Sequence, residues 1–250
     1  MASRTIATQV LIVGGGPVGL TLAMELLARG IQVAVAERRP AGEPPSVKCN
    51  HVSARSIEIY RRLGLARSLR DAGLPSDFPN DIAYRISTTS VVPELARIPI
   101  LCRRDRYTAT GGPDTWWPTP DPPHRINQLY LEPPLFAHAA QLPQVTIINC
   151  ISVEGFTQTD TGVSALARDL KSGETFNIEA RYLVGCDGAS SSMRKAIGAN
   201  LLGTPVIQSV QSTYIRSPDL LALMGRPAWM TLSLRSGSTI SDGAMSGISA

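Results

Sequence analysis

Three glycines near the start of the chain constrain its fold more than any other feature of the sequence. Gly14, Gly16 and Gly19 have the spacing G-x-G-x-x-G. They follow a short β-branched run, 8–13, that predicts a buried strand, and they lead into an apolar-periodic stretch, 17–28, that predicts a helix. This order is typical of a dinucleotide-binding turn, because the unsatisfied N–H groups at the start of the helix face the phosphates.

A second predicted strand completes this unit. Gly30 ends the helix, and residues 31–36 alternate into a buried strand that stops at Glu37. Because only a crossover helix returns the chain in the same direction, residues 8–37 predict a βαβ unit with parallel strands. Glu37 lies 18 positions after Gly19, where a carboxylate accepts both hydroxyls of an adenosine ribose and disfavours a 2′-phosphate.

These residues also have interpretations that require no ligand. A glycine-rich turn can exist for packing alone, and Glu37 is then a solvated carboxylate at the end of a strand. We count Arg38, the next residue, with Glu37 among the candidate cofactor-binding residues. The glycine spacing by itself does not separate NAD from FAD.

The rest of the chain predicts a mixture of helices, strands and one long irregular segment. The predicted elements are a helix at 53–63, a proline-rich surface excursion at 108–123, a helix beginning at 132–134 and running to about 141, three antiparallel strands at 152–158, 162–169 and 174–180, a buried strand at 182–186 and a short helix at 191–197. The excursion is the expected place for a domain boundary.

Composition excludes several classes of protein. With 43% hydrophobic and 18% charged residues, the chain has the balance of a globular protein. Its 24 Lys and Arg against 20 Asp and Glu are scattered, so nucleic acid is not an expected partner. The four cysteines form no C-x-x-C pair, so no metal site is expected. The longest apolar run, 10–24, is broken by glycines and a proline, so we expect no export signal, no membrane span and a cytoplasmic location.

A second motif distinguishes FAD from NAD. The element Asp187-Gly188-x-x-Ser191-x-x-Arg194 follows the last predicted strand. Here the sequence resembles the group A flavoprotein monooxygenases, FAD-dependent aromatic hydroxylases that include the phenol hydroxylases. The resemblance implies that Asp187 contacts the ribose and pyrophosphate region of FAD, and the family links this element to pyridine nucleotide as well. The alternative is a β-turn in which Asp187 caps the next helix.

Two further segments carry the resemblance. Residues 48–58 are similar to the family's stretch that leads into its second helix, and residues 128–132 are similar to its Q-x-x-L-E. By this likeness Lys48 meets the flavin phosphates, and Gln128 meets the ribityl chain or the pyrophosphate. The alternatives are an ordinary loop cation and a residue at a helix entrance.

The sequence departs from the family at the position of the catalytic base. Phenol hydroxylases place an aspartate near the position of Asn50, where it helps to deprotonate the phenol, and an amide cannot take that proton. His51, or a residue in the half of the family's chain that is expected to be missing, could serve instead, and for His51 the alternative is a loop histidine that only forms hydrogen bonds. We therefore assign no catalytic residue.

The resemblance implies an α/β fold. Residues 1–200 would form a Rossmann-like FAD-binding domain, a parallel sheet plus a three-stranded antiparallel meander, with its proline-rich excursion at about 80–125. Residues 201–234 would begin a substrate-binding domain, and 235–250 would be a disordered tail or one outside the family. The likeness stops near residue 234, before the family's second Gly-Asp motif, so a truncated chain is expected.

The implied function is FAD-dependent hydroxylation of a small, phenol-like aromatic substrate, with NADPH or NADH as cosubstrate and O2 as oxidant. A catalytically incomplete FAD-binding fragment or interaction module is the first alternative. An NAD-dependent dehydrogenase is another, and it predicts a colourless protein. The oligomeric state does not follow from the sequence.

Overall fold

The computed structural model describes residues 5–48, 50–86, 94–113, 115–204, 206–207, 217, 219–225, 228, 230–233 and 246–247. The chain divides into two compact units, the first formed by residues 1–45 with 131–203 and the second by residues 46–130 with 204–250. The elements in chain order are β1 (Thr5–Val13), α1 (Pro17–Leu27), β2 (Val33–Glu37), α2 (Ala54–Arg62), α3 (Ala66–Asp71), β3 (Ile82–Arg85), β4 (Ala96–Ile98), α4 (Arg103–Arg106), α5 (Gln128–Ala140), β5 (Val145–Asn149), β6 (Ile151–Gln158), β7 (Val163–Asp169), β8 (Thr175–Gly185), α6 (Ser192–Ala196), α7 (Leu220–Met224), β9 (Met230–Ser233) and β10 (Ser246–Gly247).

The first unit contains a six-stranded sheet with the order β5-β2-β1-β8-β7-β6. β1 pairs in parallel with both β2 and β8, and β2 pairs in parallel with β5. β6, β7 and the first half of β8 form antiparallel pairs. The predicted α/β class, with a parallel sheet plus a three-stranded meander, is confirmed.

Alternate residues of β1 supply two separate cores on the two faces of this sheet. Val10 and Ile12 join one buried cluster together with Ala23 of α1. Leu11 and Val13 join the other, to which β6 and β7 also contribute. Because both faces are covered, the strand shows a continuous apolar run at 10–13 instead of an alternating one.

One strand is longer than predicted. The sequence indicated separate strands at 174–180 and 182–186, but β8 continues without a break through Arg181. The physical reason is its position between β1 and β7, since each partner continues the hydrogen-bond ladder across the point where the other begins or ends. This single strand connects the meander to the parallel sheet.

The start of α5 was also predicted wrongly. The helix begins at Gln128, four residues before the predicted start, and it contains Pro133 and Pro134. The Asn127 side-chain Oδ1 accepts a hydrogen bond from the N–H of Leu129 at 3.0 Å, which caps the true start. Strand β5, which the sequence reasoning missed, follows this helix and pairs with β2.

The second unit has a four-stranded sheet with the order β10-β9-β3-β4. The proline-rich stretch 108–123 contains no helix or strand among its described residues, as predicted, but its end is buried. There Asp121 pairs with Arg70 at 2.5 Å. His124, three positions later, is 2% exposed, and its Nε2 lies 3.0 Å from the carbonyl oxygen of Leu69.

The breaks between the two units fall near residues 45, 130 and 203, and the proline-rich stretch lies wholly inside the second unit. The predicted division at residues 200 and 234 stays a prediction. Of the predicted tail, 235–250, the structure describes only Ser246 and Gly247, which pair with β9, and the other residues lie outside the described set.

Candidate nucleotide-binding site

The glycine turn, residues 14–19, lies between the carboxyl end of β1 and the start of α1. Gly14 has a φ of 110°, and a Cβ added there would lie 2.4 Å from the carbonyl oxygen of Cys186. A Cβ on Gly19 would lie 1.9 Å from the carbonyl oxygen of Gly14. These two positions therefore require glycine for the turn and for the packing of the helix.

Gly16 differs from the other two glycines. A Cβ added there would meet no atom within 4 Å, so the protein itself does not explain this glycine. α1 starts immediately after it, with Pro17 in the first turn, no acidic residue there and no side-chain capping hydrogen bond. Since the N–H groups of a first helical turn need acceptors, the open space at Gly16 suits an anion such as a pyrophosphate.

Glu37 lies at the end of β2 beside the glycine turn. Its Oε2 accepts a hydrogen bond from the N–H of Gly15 at 2.6 Å, and its Oε1 accepts two from Arg39, from the backbone N–H at 3.0 Å and from Nε at 3.1 Å. Burial by itself raises the pKa of Glu37, but the hydrogen bonds and charge of Arg39 and the bond from Gly15 outweigh it and lower the pKa. Glu37 is therefore an ionised acceptor, and Oε2 retains capacity for a further hydrogen bond.

Arg39 was missed as a site residue by the sequence reasoning. In addition to its bond with Glu37, it donates from Nη2 to Oε1 of Glu132 at 2.5 Å. The two partners are far apart in sequence, so only the sheet and α5 bring them together. Arg38, the predicted candidate, is exposed, and its side chain makes no hydrogen bond or ion pair among the described residues.

Asp187 lies at the same edge of the sheet as the glycine turn. The N–H of Cys186 donates to the carbonyl oxygen of Val13 at 2.7 Å, and a Cβ on Gly14 would lie 3.0 Å from the nitrogen of Asp187. The parallel pairing of β1 with β8 thus brings the two predicted motifs together.

The carboxylate of Asp187 is engaged by its own chain. Oδ1 accepts from the Ser191 hydroxyl at 2.5 Å, and Oδ2 accepts from the N–H of Ser192 at 2.7 Å and of Met193 at 3.2 Å. Burial raises the pKa of Asp187, but these hydrogen bonds outweigh it and lower the pKa. The contact proposed as the alternative, a cap for the next helix, is present in the structure.

Lys48 and Gln128 belong to the second unit, where the N–H of Gln128 donates to the carbonyl oxygen of Lys48 at 3.3 Å. Gln128 is buried and Lys48 is exposed. Asn50 and His51 follow in the same unit, with both side chains half-buried. Of the similar segment 48–58, Cys49 lies outside the described residues.

The described residues contain no group of three or more His, Cys, Asp and Glu side chains that could hold a metal ion. Among them there is also no helix long and apolar enough to cross a membrane.

Comparison with known families and proteins agrees with this geometry. The model of the family described as the FAD binding domain matches residues 7–246. FAD-dependent monooxygenase apdD of Emericella nidulans is 31% identical over 215 residues, 84% of this chain and 34% of that protein. Phenol 2-monooxygenase of Pseudomonas sp. (strain EST1001) is 29% identical over 200 residues, 80% of this chain and 32% of that protein. The chain thus spans about a third of the length of these two relatives.

Solved structures with similar folds are also flavin proteins. The rebeccamycin biosynthetic enzyme RebC with reduced flavin matches with a TM-score of 0.73 and 31% identity, over 97% of this chain and 46% of that one. The flavin-dependent monooxygenase PieE in complex with FAD and substrate matches with a TM-score of 0.75 and 25% identity, over 93% of this chain and 39% of that one.

Proposed function

Because the chain belongs to the FAD binding domain family, we propose that it supplies the FAD-binding part of a monooxygenase that hydroxylates a small, phenol-like aromatic compound with NAD(P)H and O2. The observation that carries this proposal is the open space at Gly16, beside a helix start that has no side-chain capping hydrogen bond and no acidic residue in its first turn. The relatives named above are FAD-dependent and phenol monooxygenases, which supports the class of reaction.

In this proposal, different residues of the first unit bind different parts of FAD. The glycine turn and the start of α1 bind the pyrophosphate, since the backbone approaches it there and the helix dipole favours its charge. Glu37 accepts the hydroxyls of the adenosine ribose, and the exposed Arg38 lies next to it. Asp187 lies close to the ribose and pyrophosphate region, where it holds the backbone of α6 in place.

Two residues of the second unit, Lys48 and Gln128, are proposed as cofactor contacts on the resemblance alone. Lys48 contacts the flavin phosphates, and Gln128 contacts the ribityl chain or the pyrophosphate. Support for both comes from the resemblance to the aromatic hydroxylases at residues 48–58 and 128–132. The bond between their backbones keeps these two segments adjacent.

FAD supplies the redox chemistry when it is bound: it accepts a hydride from NADH or NADPH and, once reduced, activates O2 for attack on the electron-rich ring. The residues of this chain bind and orient the cofactor for that chemistry. No residue is proposed as the catalytic base. The proposed reaction places the protein in the cytoplasm, where NAD(P)H is available.

The proposal is tested first by flavin binding. The purified chain is titrated with FAD, and we expect a bound flavin absorption that survives desalting. Gly16→Val should abolish this binding because the side chain fills the space for the pyrophosphate. Gly155→Val is the matched control, since Gly155 of β6 also meets no atom within 4 Å but lies away from the turn. A colourless wild-type protein that binds NAD instead would contradict the proposal.

The second test is turnover. Oxidation of NADH and of NADPH is followed with and without candidate phenols, and the hydroxylated product is measured by mass spectrometry. Substrate-stimulated oxidation with coupled product supports the monooxygenase. Bound FAD without stimulated oxidation favours the second candidate, in which these 250 residues bind FAD without turnover. That candidate is considered because the chain spans 34% of apdD and 32% of phenol 2-monooxygenase.

A further inference from the structure

Arg39 contacts two carboxylates at once, and it does so unequally. It meets Glu37 through Nε at a single oxygen, Oε1, at 3.1 Å, and it meets Glu132 through Nη2 at 2.5 Å. Arginine and a carboxylate ordinarily favour a fork with two parallel hydrogen bonds to the two oxygens. Here the second arm of the guanidinium is directed to Glu132, so that fork with Glu37 does not form.

Residues at the end of β5 hold the backbone of Arg39 in place. Its carbonyl oxygen accepts hydrogen bonds from the Asn149 side-chain Nδ2 at 3.0 Å and from the N–H of Cys150 at 3.3 Å. Its own N–H donates to Oε1 of Glu37 at 3.0 Å. The guanidinium is therefore the part of Arg39 that can change partners, and the position of Glu132 determines which oxygen Nη2 contacts.

The consequence for Glu37 concerns its second oxygen. Oε2 faces the glycine turn and accepts one hydrogen bond from the N–H of Gly15 at 2.6 Å. A carboxylate oxygen accepts two, so Oε2 can take one more donor. If Nη2 of Arg39 turned to Oε2, that remaining acceptor position would be filled.

We propose that Glu132 is a positioning residue for the adenosine ribose: by holding Nη2 of Arg39, it keeps Oε2 of Glu37 open to a ribose hydroxyl. The inference rests on the proposed FAD binding and deepens it, since it names the residue that sets the state of the ribose acceptor. The side chain of Glu132 is 8% exposed and that of Glu37 is 12% exposed, so neither contact is a solvated surface pair.

The test measures hydroxyl recognition separately from general affinity. ADP and 2′,3′-dideoxy-ADP are titrated calorimetrically into wild type, Glu132→Gln, Glu37→Gln and the control Glu154→Gln. Glu154 pairs with Arg168 in the same unit but on the meander, at 2.5 Å. We expect wild type and the control to favour ADP by about tenfold, the scale of a hydrogen bond to a charged group. Glu132→Gln should lose most of this preference and approach Glu37→Gln.

A double variant separates positioning from a merely structural role. Arg39→Gln removes the competing guanidinium, so the double variant Arg39→Gln with Glu132→Gln should regain the preference for ADP over that of Glu132→Gln alone. A structural role for Glu132 predicts no such rescue. Full preference in Glu132→Gln, or no rescue in the double variant, would overturn the inference.

The wild-type titrations distinguish failure of this inference from failure of the proposed function. If wild type binds FAD but does not prefer ADP over the dideoxy analogue, the inference is wrong and FAD binding stands. If wild type binds neither FAD nor ADP, the proposed function is wrong and the inference is overturned with it. Thermal melting of each variant is recorded so that each affinity is compared between folded proteins.

Discussion

Glu37 and Asp187 lie at the carboxyl ends of the two strands that flank β1, but they form hydrogen bonds with different parts of the chain. Glu37, at the end of β2, reaches across to the N–H of Gly15 in the glycine turn. Among the described residues, the carboxylate of Asp187, after β8, accepts hydrogen bonds from Ser191, Ser192 and Met193, which follow it in sequence. One carboxylate joins two segments that are distant in sequence, and the other caps a local helix.

A residue can therefore lie close to a site without serving as a ligand contact in it. Oε2 of Glu37 keeps acceptor capacity directed at the turn, whereas Asp187 uses both oxygens to organise the start of α6. We therefore expect Glu37 to contribute mainly to ligand affinity and Asp187 mainly to stability. Substitutions at four positions test these two roles.

The largest effect is expected at the glycine turn, since the turn links both carboxylates. Gly19→Ala places a Cβ 1.9 Å from the carbonyl oxygen of Gly14, and backbone must move to relieve the contact. The expected loss of unfolding free energy is about 3 kcal/mol, measured by urea denaturation. Gly16→Ala is the matched control because it meets open space, and it should melt like wild type while binding FAD more weakly. Equal stability of the two variants would contradict this account of the turn.

His124 adds its own pH dependence to the stability of the protein, so it has to be separated from that of the two carboxylates. Burial, with the nearby charge of Arg103 among the lesser causes, lowers the pKa of His124 from 6.5 to about 4. The unfolded chain then binds a proton that the folded one does not, so stability falls as the pH drops from about 6.5 to 4, by as much as about 3 kcal/mol. Melting temperature against pH should show this slope in wild type. His124→Gln should flatten the slope, and an unchanged slope would exclude His124 as its source.

The next prediction concerns the affinity of a Glu37 variant for FAD. Glu37→Gln keeps the size of the side chain but weakens its hydrogen bonds, so FAD should bind about tenfold more weakly by fluorescence titration. Arg39 retains Glu132 as a partner, so the melting temperature should change little. A variant that binds FAD like wild type but melts far lower would reverse the roles assigned to the two carboxylates.

Asp187→Ala has the smallest expected effect. Loss of the cap on α6 should cost about 1 kcal/mol of unfolding free energy at neutral pH. Because the pKa of Asp187 is lowered in the folded state, its contribution is present above the usual aspartate value near 4 and is lost as the pH falls below it. The variant should thus differ from wild type at pH 7, and the difference should shrink as the pH falls below that value. A tenfold loss of FAD affinity without this stability change would show a direct contact instead.

Local patterns carried much of the prediction. The βαβ unit followed from glycine spacing and apolar runs, because these depend on near neighbours in sequence, and the resemblance to FAD-dependent aromatic hydroxylases is confirmed. The approach of Asp187 to the turn followed from parallel pairing. The bond from Arg39 to Glu132 could not be predicted, since it joins residues 93 positions apart and depends on how α5 lies against the sheet. The unbroken β8 was missed because its continuity depends on two partners.

The pairing of β1 with β8 also has a consequence for synthesis of the protein. Thr5 lies opposite Asn177 and Val13 lies opposite Gly185, so during synthesis β1 has no partner in β8 until about 170 further residues are made. At ordinary elongation rates this interval is on the order of ten seconds or more. Since the Cys186 peptide packs directly on Gly14, a nascent chain that ends before residue 186 lacks one side of the glycine turn.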